Sequence, residues 1–108
     1  MDLAVEVYGL SGGFPSSERY RLTDQITRSA VSVAANIAEG HAKGTSKEFA
    51  HGIAIARGSL METETYLMLA VRLGYLTETN VAGTLGLVTD ISKMATVLQR
   101  NVLASNHR

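Results

Sequence analysis

Apolar side chains recur every three or four positions along most of this chain, which is the spacing of amphipathic α-helices. Turn-forming residues interrupt the pattern around Pro15, near Gly40 and at Gly74. We therefore predict an all-α protein built from four helices, at about residues 2–10, 23–40, 46–73 and 78–104.

Capping signals support these helix boundaries. Thr23 is a good N-cap for the second helix, and Thr45 with Glu48 forms the capping-box pattern at the start of the third. Short connections between helices favour an up-down antiparallel four-helix bundle, with one domain over residues 1–108. The first helix is too short to be stable alone, so we expect it to dock on the others.

The third predicted helix carries two apolar stripes on different faces. One is a bundle seam that alternates steps of four and three residues, from Phe49 to Ala70. One core cannot absorb both stripes, so the second either receives the short first helix or lies in a subunit interface. We favour an oligomer and predict its interface at Ala54, Ile55, Met61, Met68 and Leu69.

Composition excludes several classes of protein. With no cysteine among 108 residues, disulfides and thiolate zinc sites are absent. Lys plus Arg equals Asp plus Glu, ten of each, so the chain has no general attraction for nucleic acid or anionic membranes. No uninterrupted apolar run reaches the roughly 18 residues needed to cross a bilayer, and we predict a cytoplasmic protein without membrane contact.

Any nucleic-acid binding by a neutral chain needs a local basic patch. Four basic residues stand at predicted segment ends, and Tyr20 beside them offers a surface for base stacking. The alternative is ordinary solvated surface charge. We expect the four to share one rim and predict a nucleic-acid site at Arg19, Arg21, Lys43 and Lys47. The glycine-bracketed run 40–44 between two helices is read as an interhelical turn.

The second helix has a polar stripe beside its apolar face. Small uncharged side chains at such positions allow close helix approach and hydrogen bonding across an interface. A structural network that fixes helix register is favoured over catalysis, because no histidine falls on the stripe. The predicted network contains Gln25, Arg28, Ser29, Ser32, Asn36 and Glu39, with Glu62 and Glu64 as partners for Arg28.

Glu48 and His51 have the Glu-x-x-His spacing of helical di-iron sites. Such a site needs a second copy of the motif, yet neither His41 nor His107 has a glutamate three residues before it. We therefore predict no metal and no other cofactor.

The run from Arg28 to Gly40 resembles the signature of the bacterial four-helix bundle proteins first noticed as reading frames within 23S rRNA intervening sequences. Similar runs occur around Phe14–Pro15, at residues 56–60 and at Leu73–Leu76. The resemblance implies an up-down bundle that assembles into a homopentameric ring. It extends to the accessory protein of diversity-generating retroelements, which binds reverse transcriptase and nucleic acid.

Together these inferences predict a non-enzymatic, homo-oligomeric bundle with weak RNA or DNA binding at a rim. Its partners would be copies of itself, nucleic acid, or a further protein. The alternative is a protein-interaction scaffold without nucleic-acid contact, and a metal-dependent enzyme is a third hypothesis.

Overall fold

Helices account for nearly all of the computed structural model, which describes residues 1–105. A short 3₁₀ helix at Ser16–Glu18 is the only other regular element of that range, and no strand occurs in it. The prediction of an all-α, four-helix fold is confirmed. The helices are α1 (Asp2–Ser11), α2 (Leu22–Ala42), α3 (Ser46–Arg72) and α4 (Glu78–Ser105).

The four helices follow one another around the bundle. Helix α1 packs on α2 and α4, and α3 packs on α2 and α4, while the diagonal pairs have no close backbone approach. Contacts between α2 and α3 pair Ser29 with Thr63 at one end and Gly40 with Gly52 at the other, so the two helices are antiparallel. The bundle is elongated, 51 Å along its longest axis.

Aliphatic side chains from every helix form the core. Ile26 of α2 and Leu60 of α3 are fully buried, with Val7 of α1 and Val88 of α4 against them. These positions belong to the apolar repeat of each helix, and burying each such side chain contributes about 1.5–3 kcal/mol. The short helix α1 docks as predicted, with Leu3 and Val7 buried.

The ends of the helices agree with the capping signals in part. The Thr45 side chain accepts a hydrogen bond from the Glu48 amide at 3.1 Å, and Thr77 and Asn80 cap α4 reciprocally. The N-cap prediction for Thr23 is wrong. Arg21 occupies that position without a side-chain cap, and Thr23 lies inside α2, where its carbonyl accepts a hydrogen bond from the Thr27 hydroxyl.

The expectation that α2 stops near Gly40 is also wrong. Gly40 is a buried residue inside the helix, which continues to Ala42 and leaves only residues 43–45 as the turn. The reason is packing: a Cβ on Gly40 would lie 2.9 Å from the Glu48 carbonyl oxygen and 3.0 Å from the Gly52 Cα. Gly40 therefore serves the crossing of α2 and α3, and Gly44, with φ +83°, takes the left-handed conformation of the turn.

Helix α4 is the one described helix whose length and composition would let it span a membrane. Its apolar residues are interspersed with Thr, Ser and Gly, so α4 contains no long uninterrupted apolar run. Only 22% of its most apolar window is buried. Core helices of bundles share this composition, and the cytoplasmic location stays a prediction.

We expect Gly52→Ala to destabilise the fold by roughly 1–3 kcal/mol, because the new methyl group would overlap the Asn36 carbonyl oxygen and push α2 away from α3. Gly58→Ala is the matched control. A Cβ there meets nothing within 4 Å, and alanine should stabilise α3 by up to about 1 kcal/mol. Urea unfolding of both variants measures the difference, and equal stabilities would contradict this account of the crossing.

Candidate functional site

Hydroxyl groups form a buried contact between α2 and α3. The Ser29 and Thr63 side-chain oxygens are 2.9 Å apart, and Thr63 also donates to the Ser59 carbonyl oxygen at 2.9 Å. Both residues are buried. A buried hydroxyl without a partner is costly, so this pair holds the two helices in one register.

A second polar contact lies one helical turn further along α2. The Ser32 and Ser59 hydroxyl oxygens are 2.8 Å apart, and the Asn36 amide donates to the Ser32 hydroxyl at 2.7 Å and to its carbonyl at 2.8 Å. Within residues 1–105 no buried side-chain polar atom lacks a hydrogen-bond partner. We call these hydrogen-bonded residues between α2 and α3 (Ser29, Ser32, Asn36, Ser59 and Thr63) the polar seam, and their bonds favour a structural role for Ser29, Ser32 and Asn36.

The longer polar residues of the predicted network behave differently. Arg28 donates to Asp24 at 3.0 Å, so the expected pairing with Glu62 or Glu64 is wrong; the carboxylate one turn earlier on the same helix is already within reach. Glu39 is exposed and lies 3.9 Å from Lys43. The Gln25 side-chain oxygen lies 3.5 Å from the Tyr66 hydroxyl, which is a long hydrogen bond. An open polar groove of about 180 Å³ lies over the seam, lined by Gln25, Arg28, Ser29, Ser32, Ser59 and Glu62.

The four basic residues predicted to bind nucleic acid do not share a rim. Arg21 precedes the first residue of α2 and Lys43 follows its last, and a helix of 21 residues separates them by about 30 Å. Lys43 also lies between two carboxylates, 3.9 Å from Glu39 and 3.8 Å from Glu48. The structure brings Arg19 together with Arg21, and Lys43 with Lys47, at opposite ends of the bundle.

The turn before α2 presents a basic and aromatic tip, which we call the Arg19–Tyr20–Arg21 tip. The Tyr20 side chain is 85% exposed, and the Arg19 guanidinium lies 5.8 Å from its ring centre. The Arg21 guanidinium lies 4.0 Å from the Glu18 carboxylate, and an ion pair this long is weak. This end of the bundle therefore offers an exposed aromatic ring with the Arg19 guanidinium over it, and Arg21 is the next residue in the sequence.

The tip is anchored to the turn between α3 and α4. The Tyr75 hydroxyl donates to the Glu18 carboxylate at 2.9 Å, and the Tyr75 ring packs on Phe14 with 5.6 Å between ring centres. The hydrogen bond to Glu18 is the largest cause that raises the pKa of Tyr75 above its usual value near 10, and burial and the negative charge of Glu18 add to it. The contact fixes the segment that carries the tip.

Glu48 and His51 do not assemble a metal site with other residues that the structure describes. Between residues 1 and 105, no group of three His, Asp or Glu side chains is placed to hold an ion. Glu48 lies beside Lys43, and the His41 ring packs edge-on against Phe49 at 5.1 Å. His107 lies outside the described residues.

The predicted interface residues of α3 are all exposed. They do not receive α1, because α1 packs on α2 and α4 instead. Met68 and Leu69 line an apolar groove of about 490 Å³ between α3 and α4, whereas Ile55 lines a separate pocket with Asn36 and Glu39. Ala54 and Met61 lie on the exposed surface of α3.

Helix α1 carries an exposed apolar stripe that was not predicted from the sequence. Val5 and Tyr8 are largely exposed although they belong to a helix whose other face is in the core. The signal was present in the sequence, since Val5 and Tyr8 are three residues apart and fall off the stripe of Leu3 and Val7.

Thr63→Val should lower the free energy of unfolding by about 1–2 kcal/mol, since valine keeps the shape but removes the hydroxyl that joins Ser29 to the Ser59 carbonyl. Thr65→Val, on an exposed face of the same helix, removes only a bond to the Met61 carbonyl and should change stability by less than about 0.5 kcal/mol. Chemical denaturation compares the two. A Thr63→Val variant as stable as Thr65→Val would show that the seam does not fix the helices.

Tyr75 should make the fold sensitive to alkaline pH. Because the folded pKa of Tyr75 is raised, the unfolded chain loses the proton first as pH rises past about 10, and stability falls until pH exceeds the folded pKa. Tyr75→Phe should be less stable than the parent at neutral pH and should lose less stability between pH 9 and 11. Melting temperatures across that range, with Tyr20→Phe as control, measure the effect; parallel curves for parent and Tyr75→Phe would refute it.

Comparison with known proteins relates this chain and its fold to one family. A crystal structure of a protein of unknown function from the S23 ribosomal protein family of Bacteroides thetaiotaomicron superposes with a TM-score of 0.83 and 26% sequence identity, over 91% of this chain and 92% of the other. No curated protein matches the sequence. The model of one family matches residues 1–97, nearly the whole bundle. This chain belongs to the 23S rRNA-intervening sequence protein family.

Proposed function

We propose that this protein is a non-enzymatic, homo-oligomeric bundle that binds RNA weakly and with little sequence preference through the Arg19–Tyr20–Arg21 tip. The observation that carries the proposal is the exposed Tyr20 ring with the Arg19 guanidinium over it and Arg21 next to it in the sequence. An aromatic face stacks on any base, and flanking guanidinium groups attract the phosphates, so this combination suits single-stranded nucleic acid.

Assembly would make a weak site useful. One tip holds two arginines, and a pair of such contacts on a neutral chain gives low affinity at physiological salt. The ring of five implied by the family resemblance would place five tips around one axis. A single RNA strand could then engage several tips at once, and the combined affinity would exceed that of one tip by orders of magnitude.

The polar seam supports a role without catalysis. Its hydroxyl and amide groups bond one another and the backbone across α2 and α3. The carboxylate next to the tip belongs to Glu18, and it accepts a hydrogen bond from the Tyr75 hydroxyl. We accordingly propose that the protein acts in the cytoplasm by binding, without a metal or other cofactor.

The names of the family and of the similar protein suggest which RNA to use as a test ligand. Its name refers to 23S rRNA intervening sequences, and the similar Bacteroides protein is described as belonging to an S23 ribosomal protein family. A fragment of ribosomal RNA with a single-stranded loop is therefore a natural test ligand, beside an unstructured oligouridine of the same length.

Fluorescence anisotropy with both RNAs at low and physiological salt tests the proposal. Arg19→Glu with Arg21→Glu should weaken binding at least tenfold, and so should Tyr20→Ala, because loss of base stacking costs about 1–3 kcal/mol. Lys47→Glu with Arg100→Glu changes net charge equally on residues away from the tip and should have a smaller effect. Equal losses in the two double variants would contradict a site at the tip.

The scaffold hypothesis is favoured by a different observation, the apolar groove between α3 and α4. If the parent protein binds neither RNA even at low salt, the tip is surface charge only, and protein interaction becomes the better account of this bundle.

A further inference from the structure

The open groove over the polar seam is a polar cavity that the seam itself does not use. We call it the seam groove, and it is lined by Gln25, Arg28, Ser29, Ser32, Ser59 and Glu62. On its floor the Ser32 and Ser59 hydroxyl oxygens are 2.8 Å apart, so these groups already bond each other. The hydrogen-bonding capacity that is left for a ligand lies in the longer side chains of the walls.

The two walls carry opposite charges that do not meet. Arg28 of α2 and Glu62 of α3 line the same groove but form no ion pair with each other. The Arg28 guanidinium donates to Asp24 through Nε at 3.0 Å, which leaves its two terminal nitrogens as donors. A molecule with acceptors on one edge and donors on the next would therefore bridge the guanidinium and the carboxylate across the gap.

The size and polarity of the seam groove suit one guanine base. A cavity of about 150 Å³ accommodates a benzene ring, and the groove, at about 180 Å³ and open to solvent, takes a planar ring system with one edge outside. Guanine has the acceptors O6 and N7 on one edge, and arginine is their commonest partner. On the next edge its N1–H and 2-amino groups are adjacent donors, which one carboxylate accepts together. No other RNA base has two adjacent donor atoms.

The seam groove also continues from the tip proposed to bind RNA. The Gln25 amide donates to the Arg21 carbonyl at 3.0 Å, so the groove begins one helical turn after the tip. Arg21 and Arg28 are seven residues apart, which is about 10 Å along α2 on the same side of the helix. Neighbouring nucleotides of one strand can span that distance, so one base can contact the tip while the next enters the groove.

We propose that the seam groove binds one guanine base of an RNA strand whose neighbouring base stacks on Tyr20. Arg28 donates to the guanine O6 and N7, and Glu62 accepts from its N1–H and 2-amino groups. The inference rests on the proposed RNA binding at the tip. It adds a subsite that distinguishes one base from the others, whereas an exposed tyrosine alone stacks on any base.

Four RNAs of equal length test the subsite: oligouridine, and the same strand with one guanine, inosine or adenine at its centre. Inosine lacks only the 2-amino group of guanine, and adenine controls for the stacking of a purine. In fluorescence anisotropy at low salt, the parent protein should bind the guanine strand about fivefold or more tighter than the adenine strand, because a well-placed side chain–base pair discriminates at least that much. The inosine strand should lie between the two.

Substitutions at the walls of the seam groove should remove the preference for guanine, and not only weaken binding. Arg28→Ala and Glu62→Ala, both at exposed positions, should each bring the ratio of guanine to adenine affinity below about twofold. Glu64→Ala is the matched control, since it removes the same charge from a residue of α3 outside the groove and should keep the ratio of the parent.

The outcomes separate this subsite from the tip. Equal affinity of the parent for the guanine and adenine strands would overturn the subsite and leave binding at the tip in place, and so would a guanine preference that survives Glu62→Ala. Tyr20→Ala should weaken all four strands and keep the guanine preference. A preference lost with Tyr20 would place the guanine at the tip and overturn the groove. A parent that binds none of the four RNAs at low salt removes the proposed RNA binding and the subsite together.

Discussion

The close approach of α2 and α3 is the constraint on which the rest of this bundle depends. At Gly40 and Gly52 the two backbones are so near that no side chain fits between them, and two to three turns away the serine and threonine hydroxyls bond across the same pair of helices. Small residues allow the approach, and hydrogen bonds then fix how far one helix can slide along the other. The positions of α1 and α4 follow, since each must cover the apolar stripe that this pair leaves open.

This constraint also explains why the residues from Arg28 to Gly40 carry the family resemblance. Ser29, Ser32 and Gly40 face α3, and Ala30 and Val33 face the core. A larger side chain on the first set would separate the helices, and a polar one on the second would be buried without a partner. The run encodes a helix crossing, and the tip proposed to bind RNA lies outside it, in the preceding turn.

Local patterns predicted the helices well, because apolar spacing and capping depend on neighbouring residues. The errors arose where a residue's role depends on which of several possible partners it contacts in the folded chain. Gly40 resembles a helix terminator, but only contact with Gly52, twelve residues away, shows that it is a packing residue. Arg28 was assigned distant carboxylates although Asp24 lies one turn before it. The division of the basic residues between two ends was predictable, since the length of α2 alone separates Arg21 from Lys43.

The hydrogen bond from Tyr75 to Glu18 joins segments 57 residues apart in the sequence. It limits the motion of the turn that carries Tyr20, so that little conformational entropy remains to be lost when a base stacks there.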